Sequence, residues 1–301
     1  MKIGLALGAG AARGWTHLGI IDALEALGIK IDVVTGCSIG AYVGAAYASG
    51  NLNKLKEWAF ELSDWQVLRL LGVGISRGGL ASGEQVFKLL ADEFSAANFS
   101  EMQKPFALTA TDLYSGREVV FKEGEVVEAV RASCAIPALF PPVKFNGRWL
   151  VDGAVVNPVP VNLCRRLGAD FVIAVNLSAD FRPEMLDRNT QAHVRAQQKT
   201  DETLAKTQGF IRSWFSPEPK DNGPTPPGIM SVMSNSLDIM QARVTRSRLA
   251  GDPPDILIEP HLRDIGLLEF EKAKELYAAG QEAVDRLEKQ ILYQLNYLDV
   301  K

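Results

Sequence analysis

Histidine and cysteine are both scarce: the 301-residue chain has three of each. The cysteines, Cys37, Cys134 and Cys164, are odd in number, widely spaced and set among apolar residues. That pattern excludes a disulfide frame and points to reduced, buried thiols of a cytoplasmic protein. With only His17, His193 and His261 to draw on, a histidine-rich zinc site is excluded too, and no metal is expected. No basic block stands out and the formal net charge is -4, so the chain has no electrostatic footprint for nucleic acid. Long hydrophobic runs are missing as well. The longest uncharged stretch, Val33 to Asn53, is interrupted by Gly36, Gly40, Gly44 and Gly50, and its helical part is too short to span a bilayer. The opening "MKIGLALGAGAARG" has one Lys ahead of its apolar run and reads as a strand and turn, not as a signal peptide.

What is present is an alternation of strand and helix patterns. "KIGLAL" predicts a buried strand, and "GWTHLGIIDALEALG" a helix stopped by Gly28. "IKIDVVTG" and "IGAYVGAAYASG" repeat the pair, which makes a βαβ unit with parallel strands and a right-handed crossover. Helices follow at about 51–71 and 82–94, the second opened by a capping box at Ser82. "PFALTATDL" and "REVVF" read as strands, and "EVVEAVRASCAI" as a helix stopped by Pro137. Asn146-Gly147 marks a hairpin. "VNLCRRLG" is a short helix before the apolar strand "DFVIAVNLS". From about 180 to 228 the chain turns polar and then rich in Pro and Gly, an excursion from the core suited to a mobile cover. Within it, "FIRSWFSPEPK" is the segment suited to transient contact with a membrane surface, peripheral to the inner membrane. A helix from Ile229, a strand "DILIEP" and one amphipathic helix over 268–292 complete the chain. The sum is a single α/β domain over 1–301, a three-layer α/β/α sandwich around a mainly parallel sheet.

In such a sheet the loops after successive parallel strands share one edge, where ligands bind. Two loops qualify, 8–14 and 36–40. Gly36-Cys37-Ser38-Ile39-Gly40 fits G-x-S-x-G between a strand and a helix, the setting of a nucleophile elbow, with Gly36 and Gly40 allowing the sharp turn and close packing. Cys37 is one place off the apex and reads as packing. As a dinucleotide fingerprint the loop 8–14 is flawed, because Arg13 stands where the third glycine belongs. Beside a nucleophile, its small residues supply backbone N–H groups for an oxyanion hole: Gly10 and Ala11 first, Ala9 next. For the base, Asp32 is excluded, since a strand separates it from Ser38 by about 20 Å. The residues alone leave Asp112 and Asp152 as equal candidates. His17 is the one histidine near the site, and a triad needs it to reach Ser38 from a helix flank. A Ser–Asp dyad is chemically feasible if the site raises the carboxyl's pKa.

Four blocks in order, "GAGAARGWTHLGIIDAL", "GCSIG", "RASCAIPALFPPV" and "VDGAVVNPVPV", resemble the patatin-like phospholipase family, in particular its small bacterial, RssA-type members. The resemblance implies a Ser–Asp acyl hydrolase of lipid-like carboxylic esters without cofactor: Ser38 from G-x-S-x-G, Asp152 from Asp152-Gly153-Ala154, and an oxyanion loop closing at Arg13-Gly14. It moves the base from an even choice to Asp152. Arg13 either ties down that loop or faces an anionic head group, and Leu139 and Phe140 are candidates for an acyl pocket. The chain departs from the family in having Ala9 and Ala11 where many members have glycines, and alanine restricts positive φ. The rival reading is a regulatory or scaffolding protein that keeps the fold with little turnover.

Overall fold

The computed structural model describes residues 1–76, 79–180 and 229–299. The chain divides into one unit of Met1–Asp180 with Gln241–Lys301, and a second of Phe181–Met240. Of the second unit the described part, 229–240, is helical. The excursion expected at 180–228, with "FIRSWFSPEPK", lies outside the described residues except for its first position.

The first unit opens as the sequence predicts. Strand β1 (Ile3–Leu7) leads through a 3-10 turn, Ala11–Trp15, into α1 (Thr16–Ala26). Strand β2 (Val33–Cys37) leads into α2 (Ile39–Ala48) with one residue, Ser38, between them. The helix expected over 51–71 is two, α3 (Leu52–Phe60) and α4 (Asp64–Leu71). The break comes at Ser63, which forms a capping box with Gln66: the Ser63 amide donates to Gln66 Oε1 at 2.9 Å. A short hairpin, β3 (Val73–Ser76) and β4 (Gly79–Ala81), follows unannounced. Helix α5 (Glu84–Leu89) continues as a π turn, Leu90–Phe94. Its N-cap is Gly83, with φ at 65° and no side-chain cap, so the box expected at Ser82 does not form.

Next come β5 (Phe106–Asp112), β6 (Glu118–Phe121), α6 (Val126–Ser133), β7 (Val143–Phe145) and β8 (Arg148–Asp152). Asn146 and Gly147 turn β7 into β8 with φ of 45° and 77°, the left-handed pair an Asn-Gly turn supplies. Helix α7 (Val161–Arg166), β9 (Phe171–Val175), α8 (Ile229–Gly251) and β10 (Ile256–Ile258) follow. The expected C-terminal helix is again a pair, α9 (Ala273–Asp285) and α10 (Glu288–Asp299).

Strands β10, β9, β1, β2 and β5 lie parallel in that order, and β6, β7 and β8 add antiparallel pairs beyond them. Side-chain alternation divides the core between two faces. Leu5, Leu7, Val34, Ile173, Val175 and Ile258 join the large cluster that α1 and α2 cover. Their neighbours Ala6, Val33, Val172 and Ala174 join a smaller cluster with Val161 and Cys164 of α7. Large aliphatics on one face and small ones on the other let α7 approach closely, and the three layers follow.

One detail of pairing positions the site. Residues 108–111 of β5 pair with β6, overlapping the stretches that pair with β2 (106–109) and with β8 (110–112). One strand edge takes one partner at a time, so β2 and β8 share the other edge of β5 end to end. Cys37 stands opposite Thr109, and Asp152 opposite the next residue, Ala110. The end of β2 therefore meets the end of β8, which brings two residues 114 positions apart in the chain face to face.

Candidate active site

At that meeting point Ser38 Oγ donates to Asp152 Oδ2 at 2.6 Å, and both residues are buried. Ser38 adopts φ 55° and ψ -126°, a conformation that L side chains rarely adopt and that costs of the order of 1–3 kcal/mol. The turn is sustained from both sides. A Cβ on Gly36 would stand 2.5 Å from Ala41 Cα, and one on Gly40 would collide with the Leu7 carbonyl and lie 2.7 Å from that of Gly8. Only glycine lets α2 begin this close to the ends of β1 and β2.

Asp152 is held just as tightly. Its Oδ1 accepts the Ala154 amide at 2.8 Å, its own amide donates to the Ala135 carbonyl at 2.9 Å, and its carbonyl accepts Thr111 Oγ1 at 2.9 Å. Burial pushes its carboxyl up to about 7, against the hydrogen bonds from Ser38 and Ala154 that favour the charged form. Asp112 does not share the site. Its Oδ1 accepts the amides of Tyr114 and Ser115 in an Asx turn, and those bonds hold its carboxyl below its ordinary value. Of the two carboxylates left as candidates by the residues, Asp152 touches Ser38 and Asp112 does not. Asp32 is engaged with the Ile3 amide at 2.9 Å, at the far end of the strands.

His17 is fully buried and makes no bond to Ser38. Its Nε2 faces the Gly8 carbonyl at 2.8 Å, and burial lowers its pKa to about 4. Among the described residues no imidazole stands against the hydroxyl, and Ser38 Oγ donates to a carboxylate. Cys37 is buried, and burial first, then the nearby Asp152 charge, pushes its thiol far up, so it is not a thiolate.

The loop after β1 is pinned at nearly every peptide. Gly8 N–H donates to Val175 O, Ala9 N–H to Pro158 O at 2.9 Å, Ala12 N–H to Leu267 O, and Arg13 N–H to Gly10 O. Among the described residues the amides of Gly10 and Ala11 have no acceptor, as expected where a 3-10 turn begins. The expectation for Ala9 is corrected: its N–H is engaged by Pro158 and is not available to an oxyanion. Ala11 takes φ 49°, so the alanine substitution of a glycine-rich loop is tolerated in the left-handed region at a cost. Arg13 Nε donates to Ile265 O at 3.0 Å, which ties the loop down, and Gly14 packs directly on Ile39 of the elbow.

An apolar cleft opens at Ser38. Its lining includes Ala11, Trp15, Ile39, Tyr42, Cys134 and Phe270, with Trp58, Leu62 and Val86. Of the two acyl-pocket candidates, Phe140 lines the cleft and Leu139 does not, and both pack half-buried against the core. Sequence reasoning missed Ser133, whose Oγ accepts the Ser38 amide at 2.8 Å. A serine on the buried face of an apolar helix, just before "CAIP", was its only signal. It also missed the walls from α3, α4 and Phe270, which no local pattern links to the serine.

The sequence model of one family, patatin-like phospholipase, matches residues 5–165. An uncharacterized NTE family protein of Mycobacterium tuberculosis is 31% identical to the chain over 321 residues, covering 93% of this chain and 89% of the relative. Lysophospholipase NTE1 of Coccidioides immitis is 28% identical over 305 residues, covering 95% of this chain and 18% of that much longer relative. Among solved structures, VipD from Legionella pneumophila is similar with a TM-score of 0.40 and 14% identity, over 98% of this chain and 76% of that one.

Proposed function

The chain belongs to the patatin-like phospholipase family, and on that premise we propose that it is a serine acyl hydrolase of lipid carboxylic esters, with Ser38 as nucleophile and Asp152 as base. The observation that carries this reading is the 2.6 Å bond from a strained, buried serine to a buried carboxyl. The strain and the apolar cleft support it, because neither serves packing alone.

The steps follow from the groups present. An ester carbonyl lies over Ser38 with its acyl chain in the cleft. Asp152 Oδ2 takes the hydroxyl proton as Oγ bonds to the carbonyl carbon, and the carbonyl π electrons move to oxygen. The amides of Gly10 and Ala11 receive that oxyanion. When the tetrahedral centre collapses, the C–O bond to the alcohol breaks and the alcohol leaves with the proton from Asp152. Water then gives a proton to Asp152 and attacks the acyl carbon, and collapse frees the carboxylic acid and returns the proton to Ser38 Oγ. A carboxyl near 7 is matched to this traffic at neutral pH, whereas an ordinary aspartate is too weak a base. No metal enters these steps.

The lysophospholipase named among the relatives suggests single-chain phospholipids as the first substrates to assay, beside neutral esters of equal chain length. A fluorophosphonate probe tests the class of reaction. One adduct per chain is expected, on Ser38 and absent from Ser38→Ala. A well-folded wild-type chain that takes no label supports the scaffolding role instead and overturns this reading.

A further inference from the structure

We infer that His17 is a positioning residue that locks the oxyanion loop to the nucleophile elbow through the carbonyl of Gly8. This rests on the reading of Gly10 and Ala11 as oxyanion donors. A carbonyl oxygen only accepts, so His17 Nε2, 2.8 Å from Gly8 O, carries the proton and the ring is the neutral Nε2–H tautomer. Nδ1 is then a bare acceptor, and it is buried with no hydrogen-bond partner among the described residues. Leaving such an atom unpaired in the core costs stability that a leucine of similar size would not incur. What the imidazole provides in exchange is the bond to Gly8.

That carbonyl is not an arbitrary acceptor. It lies against the elbow, where a Cβ on Gly40 would come within 2.7 Å of it. The Gly8 peptide carries the Ala9 amide that is fixed to Pro158 at 2.9 Å, and the two following amides are those without acceptors. His17 itself sits on α1, one residue into the helix that the loop opens. Its bond therefore closes a small circuit: loop to elbow by contact at Gly40, loop to helix by the imidazole. Releasing one link lets the Gly8 peptide tilt and carries the amides of Gly10 and Ala11 away from Ser38. A displacement of about 1 Å in such a site is enough to lower a rate about a hundredfold.

The amide side chains provide the test, because glutamine places its NH₂ where Nε2 stands, and asparagine is too short and mimics only Nδ1. With a short-chain chromogenic ester, His17→Leu and His17→Asn are expected to lower kcat about 10- to 100-fold with KM changed less than about threefold. His17→Gln is expected to recover most of kcat, while thermal stability does not follow that order. A ¹⁵N spectrum of the wild-type imidazole, which needs no turnover, is expected to show the Nε2–H tautomer at neutral pH. An Nδ1–H tautomer overturns the proposal, as does full activity in His17→Leu or a Gln variant no better than Asn. A wild-type chain whose Ser38 takes no fluorophosphonate overturns the hydrolase reading and this proposal with it. Labelling of the wild type with kcat intact in His17→Leu overturns this proposal alone.

Discussion

Ser38 Oγ lies 2.6 Å from Asp152 Oδ2, inside a core where the carboxyl titrates near 7. A base must be unprotonated to accept the serine proton, so kcat/KM should rise with pH along a single acid limb centred near 7 and level off above it. Asp152→Asn should lower kcat/KM by about a hundred- to ten-thousandfold at pH 8. Asp112→Asn, whose side chain caps a turn and pairs with Arg148 away from Ser38, should stay within about threefold. Initial rates of ester hydrolysis between pH 5 and 9 check all three.

The same carboxyl should weaken the fold. Its folded pKa, about 7, lies above the ordinary 3.8, so between these values the folded state holds a proton that the unfolded chain releases. The contribution of Asp152 to stability is thus full below pH 4, falls as pH rises to 7, and is flat above. Asparagine keeps both contacts, with Oδ1 accepting from Ala154 and Nδ2 donating to Ser38. Asp152→Asn should therefore stabilise the chain at pH 8 by up to about 4 kcal/mol, and by close to nothing at pH 4. Denaturant melts at the two pH values measure the difference.

Gly40 and Gly28 offer a controlled pair. A Cβ at Gly40 meets the Leu7 and Gly8 carbonyls, whereas at Gly28 it meets nothing within 4 Å and suffers only from φ of 79°. Gly40→Ala should cost about 3 kcal/mol or more and shift the elbow, reducing kcat about tenfold or beyond. Gly28→Ala should cost about 1 kcal/mol and leave kcat unchanged. Thermal melts and kcat on one ester separate steric from conformational cost.

Ser133→Ala removes the acceptor of the Ser38 amide and leaves a buried N–H unpaired. The expected loss is about 1–3 kcal/mol in stability, with a lower kcat and a nearly constant KM. Ser133→Thr, which keeps the oxygen, should restore much of kcat.

Much of this site is legible in the amino-acid sequence, and the reasons are local. The βαβ unit shows itself through apolar strands that end in glycine turns, and parallel strands put the loops at 8–14 and 36–40 on one edge. Asp152 is legible only through the resemblance, because its approach to Ser38 depends on β2 and β8 sharing one edge of β5, a long-range pairing that no pattern encodes. Ala9 looks as good a donor as Gly10 because nothing in "GAGAARG" reveals Pro158 opposite its amide. Helix ends fail for a related reason: Ser63 and Ser82 both offer a cap within a few residues of charged or amide partners, and tertiary packing chooses between them. The excursion and its aromatic segment fall outside the described residues.

The most direct measurement is a rapid acid quench during hydrolysis of a p-nitrophenyl acyl ester, followed by peptide mapping. The account predicts a burst approaching one p-nitrophenolate per chain and an acyl group on the peptide carrying Ser38. Both should be absent from Ser38→Ala and strongly slowed in Asp152→Asn. Turnover without a burst or acyl adduct, or an acyl group on Cys134 instead, would contradict it.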